Sequence, residues 1–196
     1  LEVGTMARIP LDPPRTLLNR LVAGYSRRAY GKVIEPLLAL GHHRRVLLTD
    51  ARFEKSLARW NKLDRGLKDL AVMASSAAIG CSWCMDFGYW EGRRNGMSHE
   101  KLHDVPFWRD SDVYTPLERD VMEYAEAMTA TPPTVDDALT DRLRTALGDE
   151  ALVELTAMVA VENFRSRVNS ALGLTSQGFK DSCDVPARPA HRTPPA

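Results

Sequence analysis

Residues 115–133 read Thr-Pro-Leu-Glu-Arg-Asp-Val-Met-Glu-Tyr-Ala-Glu-Ala-Met-Thr-Ala-Thr-Pro-Pro, and this stretch decides the fold. Thr115 offers a side-chain oxygen to the open end of a helix, Pro116 suits its first position, and Glu118 stands where it can reach back to the Thr115 backbone N–H. Leu117, Val121, Tyr124, Ala125 and Met128 then recur on one face, and Pro132 with Pro133 stops the run. The same grammar continues downstream. Thr134 is the expected cap of a helix carrying Leu139, Leu143 and Leu147 to Gly148. Asp149 is the expected cap of a longer helix that carries Leu152, Leu155, Val159 and Val168 to a stop at Gly173.

Upstream, Leu17 to Ala29 and His43 to Trp60 have helical spacing. Asp64 caps a helix through Leu67, Leu70 and Val72 to Gly80; Cys81 to Asn95 forms another that ends at Gly96, and Ser98 caps a short one. No segment alternates with period two long enough to make a strand, so the expected fold is all-α, an irregular bundle of antiparallel helical hairpins.

The 196 residues are 44% apolar and 27% charged, a composition that excludes disordered, collagen-like and coiled-coil chains and points to one domain. Lys+Arg and Asp+Glu number 26 each, so no charge surplus announces nucleic acid. The longest uncharged stretch, Leu70 to Met85, is too short and too polar to span a bilayer. The N-terminus lacks the order of a signal peptide, which leads to an expected cytoplasmic, reducing compartment. Pro10, Pro13 and Pro14 mark residues 1–15 as a flexible lead-in; residues 184–196, with Pro186, Pro189, Pro194 and Pro195, have the composition of a disordered tail. The domain is expected over residues 16–183.

The sharpest chemical feature is Cys81-Ser82-Trp83-Cys84, placed where Gly80 breaks one helix and another begins. A helical separation of three residues puts the Cα atoms about 5 Å apart, within disulfide range. Helix-terminal N–H groups favour a thiolate, and lowering a thiol pKa from about 8.5 to about 6.5 raises the ionised fraction at pH 7 from a few per cent to about three quarters. A reactive pair facing a common cleft is the expectation. Two other readings compete: small core cysteines, and a zinc site in which His99 and His103 follow Cys84 at finger-like spacing. Helical spacing over Met85 to Asn95 leaves no room for a finger's β-hairpin, which argues against zinc. Cys183, beside the tail, is expected to be incidental.

Lys68-Asp69-Leu70, the CxxC twelve residues on from Asp69, and Gly96-Met97-Ser98 with Glu100 and Leu102 together resemble the alkylhydroperoxidase AhpD and carboxymuconolactone decarboxylase superfamily. The run Glu162-Asn163-Phe164-Arg165-Ser166-Arg167-Val168-Asn169, with Ala171-Leu172-Gly173 and Gln177-Gly178-Phe179, is similar to the C-terminal helix of larger members. The resemblance covers roughly residues 40–180. It implies an AhpD-like bundle assembled as trimers or hexamers, with Cys84 as peroxidatic and Cys81 as resolving thiol. It further implies a hydroperoxide substrate and an external dithiol reductant, lipoylated or thioredoxin-like, with no metal, bound cofactor, nucleic acid or membrane.

The chain departs from the family's proton relay. Asp69 stands for a Glu, Gly88 for a His, and Trp83 for the His inside the CxxC. Glu91, seven residues after Cys84 on the same helical face, is the candidate to bridge toward Asp69, and two neighbouring carboxyls would push one pKa upward. The alternative pairs Glu91 with Arg93 or Arg94 on a solvated face. Glu162, within an apolar run, is expected to be buried and paired with Arg165, with a relay role as the lesser reading. Trp83, Phe87 and Trp90 form a stripe expected in a core or subunit contact, while His42 and His43, before Arg44 and Arg45, are expected to be solvated or inter-helical. The leading function is a thiol-dependent peroxidase or disulfide oxidoreductase with slow peroxide turnover. The alternatives are a lyase on the same fold and a redox-sensing oligomer that has lost the relay.

Overall fold

A computed structural model describes residues 7–182. Its α-helices are α1 (Leu17–Tyr30), α2 (Glu35–Leu40), α3 (Arg44–Leu57), α4 (Arg65–Ile79), α5 (Ser82–Arg94), α6 (His99–Asp104), α7 (Pro116–Thr129), α8 (Asp137–Leu147) and α9 (Asp149–Ala171). Short 3-10 turns occupy Val105–Asp110 and Lys180–Ser182. The fold is all-α, as the spacing predicts.

The capping box is present. Glu118 N–H donates to Thr115 Oγ1 at 3.3 Å, and Thr115 N–H donates to Glu118 Oε2 at 2.8 Å, while Lys101 Nζ binds both Glu118 oxygens. Two caps differ from expectation. Asp136, not Thr134, caps α8 through Leu139 N–H at 2.7 Å, because the helix begins at Asp137, three residues beyond Thr134. Gly148 is the cap of α9, and Asp149 becomes its first residue, where its charge still faces the positive end of the helix. The six-residue α2 and the turn at Val105–Asp110 have no periodic signal long enough to reveal them.

Helix α4 is the centre, packed against α5, α7 and α9. Leu70, Ala71 and Ala74 of α4 meet Val121, Met122 and Ala125 of α7 and Leu155 and Val159 of α9 in the main core. A smaller cluster gathers Ala39, Cys81, Trp83, Cys84 and Leu174 at the opposite end. Residues 7–14 of the expected lead-in lie against that cluster. Ala7, Ile9 and Leu11 pack on it, Arg8 N–H donates to the Leu172 carbonyl at 2.8 Å, and Arg8 Nη1 reaches the Ser170 and Ala171 carbonyls. The alternating apolar residues between the polar ones give this segment a buried side. Cys183 and residues 184–196 lie outside the described residues. Among the described residues no helix is long and apolar enough to cross a membrane.

Candidate active site

The backbone at the end of α4 builds the cysteine site. Gly80 takes a left-handed conformation (φ 79°) that side chains disfavour, which turns the chain so that Cys81 N–H donates to the Ser76 carbonyl at 3.0 Å. Cys81 thereby becomes the N-cap of α5, its sulfur accepting from Cys84 N–H at 3.3 Å. The two cysteines are joined as a disulfide, with Cα atoms 5.3 Å apart.

The sulfurs do not face an open cleft. Cys81 is 1% and Cys84 6% exposed, buried in a cluster with Ala39, Trp83 and Leu174 against which Ala7, Ile9, Leu11 and Leu172 pack. Local spacing could place the pair at a helix start, but it could not reveal that a proline-rich segment packs against the cluster that holds them. A cavity of about 480 Å³ opens beside Ser82, Met73, Met85 and Tyr89, and neither cysteine lines it.

Helix α9 supplies the polar wall behind the pair. Glu162, Ser166 and Asn169 share its inward face, and all are buried. Glu162 Oε1 accepts from Ser76 Oγ at 2.8 Å and Ser166 Oγ at 2.7 Å. Its other oxygen meets Arg165 Nη1 at 3.5 Å. The expected ion pair exists, but the main partner of Arg165 is Glu54 on α3, gripped through Nε at 2.8 Å and Nη2 at 2.5 Å. Burial, opposed by Arg165 and the two hydroxyls, raises the Glu162 carboxyl above its ordinary range. Asn169 Nδ2 lies 3.4 Å from Cys84 Sγ.

Asp69 and Glu91 gather at the far end of α5. Asn95 Nδ2 donates to Asp69 Oδ2 at 2.8 Å, and burial raises Asp69 against the pull of that bond and of Arg65 and Lys68. Glu91 is accessible at the rim yet flanked by protein; that enclosure, and then the Asp69 carboxylate, raises its carboxyl against Arg165 and Arg65. Tyr30 completes this end, pushed up to about 12 by burial and then by Tyr25 and Glu91. Glu91 does not pair with its helix neighbours, because Arg93 bonds the Met97 carbonyl and Arg94 lies over the Trp90 ring. Neither Asp69 nor Glu91 is hydrogen-bonded to a cysteine among the described residues.

The remaining candidates are engaged elsewhere. His99 Nδ1 contacts the Tyr89 hydroxyl and His103 contacts Asp104. Among the described residues no three His, Cys, Asp or Glu side chains gather as metal ligands. Trp83 stacks on Phe87 at 5.0 Å and donates through Nε1 to Gln177 Oε1, while Phe87 and Trp90 meet Tyr30 and Phe179. His42 Nε2 meets the Pro10 carbonyl at 2.8 Å, and His43 caps α3. Asp86 was not singled out by spacing, yet it is buried and accepts from the N–H groups of Gln177, Phe179 and Lys180. Its place between apolar Met85 and Phe87 was the available signal.

Residues 46–127 match the carboxymuconolactone decarboxylase family. The chain is 34% identical over 173 residues to the protein YnjA of Escherichia coli K12, covering 88% of this chain and 93% of that one. Among solved structures, the alkylhydroperoxidase AhpD core, a peroxidase-related protein of Ralstonia eutropha JMP134, superposes with a TM-score of 0.78 at 20% identity, over 89% of this chain and 94% of its own. A cysteine-to-alanine variant of the debrominase Bmp8, bound to 2,3,4-tribromopyrrole, superposes with a TM-score of 0.76 at 20% identity, over 90% and 96%. These structures share the fold. With a relative aligned over most of its length and a family match spanning the CxxC, the chain belongs to the carboxymuconolactone decarboxylase family.

Proposed function

We propose that this protein is a thiol-dependent peroxidase or disulfide oxidoreductase working through Cys84 and Cys81. The observation that supports it is the disulfide between them at the N-terminus of α5, in a chain of this family. In the reduced form the Cys84 thiolate attacks the distal oxygen of a hydroperoxide and the O–O bond breaks. That oxygen stays on sulfur as a sulfenic acid, and the alkoxide leaves with a proton as an alcohol. The Cys81 thiol then displaces water from the sulfenic acid and restores the disulfide, which an external lipoylated or thioredoxin-like dithiol reduces as it is itself oxidised. Asp69 and Glu91 are the proposed proton reservoir, since both carboxyls are raised.

Burial sets the pace. Residues 7–11 must lift before a bulky peroxide or a carrier dithiol can reach sulfur, so turnover is expected to be slow. The same burial, with Gly88 in place of a relay histidine, favours a second reading in which the pair switches redox state without turning over. The proposed setting is cytoplasmic, as a homo-oligomer. Mass spectrometry with thiol trapping after one equivalent of hydroperoxide tests the chemistry: loss of both trappable thiols with one alcohol released is expected. Thiols still trappable overturn it. Continued alcohol release with excess dithiol separates the enzyme from the switch.

A further inference from the structure

We propose that Asn169 is a catalytic residue whose side-chain amide stabilises the negative charge on Cys84 sulfur, an inference that rests on the thiol reading above. Its Nδ2 lies 3.4 Å from Sγ, and its side chain is 4% exposed. A disulfide sulfur has no proton to give, so only the N–H end of the amide can bond it, which sets the orientation of the group.

The arrangement costs something in the oxidised protein. A buried amide donor needs a good acceptor, and a disulfide sulfur is a weak one. When the disulfide is reduced and Cys84 ionises, the same N–H faces an anion, and hydrogen bonds to charged acceptors are roughly twice as strong as neutral ones. Asn169 therefore favours the ionised sulfur over the disulfide and over the neutral thiol, which raises the fraction of Cys84 in the nucleophilic form at neutral pH. Among the described residues no side chain donates to the Cys81 sulfur. That sulfur receives Cys84 N–H, which the N-cap geometry supplies to any side-chain acceptor at that position. Asn169 thus gives Cys84, the more exposed of the two, a side-chain donor of its own beside the N-cap donor that Cys81 receives.

Among the described residues none of the charged groups on the elements packed around the pair bonds a sulfur. Glu162 is held by two serines and Arg165 by Glu54; Asp86 holds three backbone N–H groups. Asp69 is bound by Asn95, Arg8 by the end of α9, and Glu91 stands with Asp69 at the far end of α5. Glu35 begins α2 and is raised by its own burial. Asn169 is the side chain among them that donates to the sulfur.

The test is the pH dependence of Cys84 alkylation by iodoacetamide in the reduced protein carrying Cys81→Ser. Asn169→Leu removes the donor, and Asn169→Asp replaces it at equal size with an acceptor. Each folded variant is expected to raise the apparent pKa of Cys84 by about one unit, a roughly tenfold slower reaction at neutral pH with an unchanged plateau at high pH. Asn169→Gln is expected to recover part of the loss. In the unmutated reduced protein, the side-chain amide resonance of Asn169 is expected to titrate with Cys84. An unchanged Cys84 pKa in either variant, or an amide resonance that does not titrate, overturns the proposal. If Cys84 titrates as expected but peroxide leaves it reduced, the peroxidase reading falls and the role of Asn169 stands.

Discussion

Met73 of α4 fills the space beside Gly88 of α5: a Cβ on Gly88 would lie 3.2 Å from Met73 Cγ. The helical position where the superfamily's relay places a histidine is therefore packed with a thioether chain, and Met73 is itself fully buried. Gly88→His is expected to overpack this contact and destabilise the fold by about 1–3 kcal/mol. Met73→Ala in the same chain makes room and is expected to recover much of that loss. Urea unfolding of the single and double variants checks the coupling; additive losses would show that Met73 is not the obstacle.

The upward shift of the Glu91 carboxyl, set first by its enclosure, owes part of its size to Asp69. Asp69→Asn removes that charge and is expected to bring the Glu91 carboxyl down toward its ordinary range, as read by carbon-13 titration of its carboxyl resonance. Glu91→Gln is expected to flatten the acid limb of the pH profile for Cys84 oxidation. A profile and a thiolate fraction that stay unchanged would take Glu91 out of the mechanism.

Glu162 gives stability a pH dependence of known sign. A carboxyl whose folded pKa is raised above the unfolded value of about 4.3 contributes fully below that pH, and the contribution is lost as pH rises through the folded value. Glu162→Gln keeps an acceptor for Ser76 and Ser166 but cannot ionise. The variant is expected to gain on the natural chain as pH increases from about 4.3 toward neutrality, measured as the difference in Tm at each pH. A difference that is flat or of opposite slope would mean that Arg165 holds Glu162 ionised throughout.

Arg8 pins the covering segment to the last turn of α9. Its hydrogen bonds are exposed, so their loss in Arg8→Ala is expected to be modest, about 1 kcal/mol. That corresponds to a roughly fivefold larger open population and a similarly faster reduction of the Cys81–Cys84 disulfide by dithiothreitol. Equal rates would mean that Ile9 and Leu11 alone hold the segment down.

Much of the architecture was legible because its signals are short-range. The Thr115–Glu118 box, the apolar face that follows it, Asp64 before α4 and the left-handed Gly80 are readable within a few residues of each other. The CxxC at the start of α5 was legible for the same reason. What escaped depends on contacts between distant segments. Ile9 and Leu11 sit in a proline-rich run that lacks helical spacing, and they are half-buried by packing against a cluster drawn from distant parts of the chain, Ala39, Cys81, Trp83, Cys84 and Leu174. The spacing predicts the Glu162–Arg165 pair, which is present, but not that the Arg165 fork also closes on Glu54, more than one hundred residues away in the chain. Asn169 was visible as part of the late helix, but nothing local says that its amide points at sulfur.

Asp86 carries a consequence for how short this polypeptide can become. Its carboxylate collects three main-chain N–H groups between Gln177 and Lys180, well past the last turn of α9. Truncation after Gly173 would strand a buried anion in the first turns of α5, at a cost of several kcal/mol. The smallest autonomous unit therefore extends to Lys180, and the ten or so residues after the final long helix are structural fabric rather than a dispensable appendage.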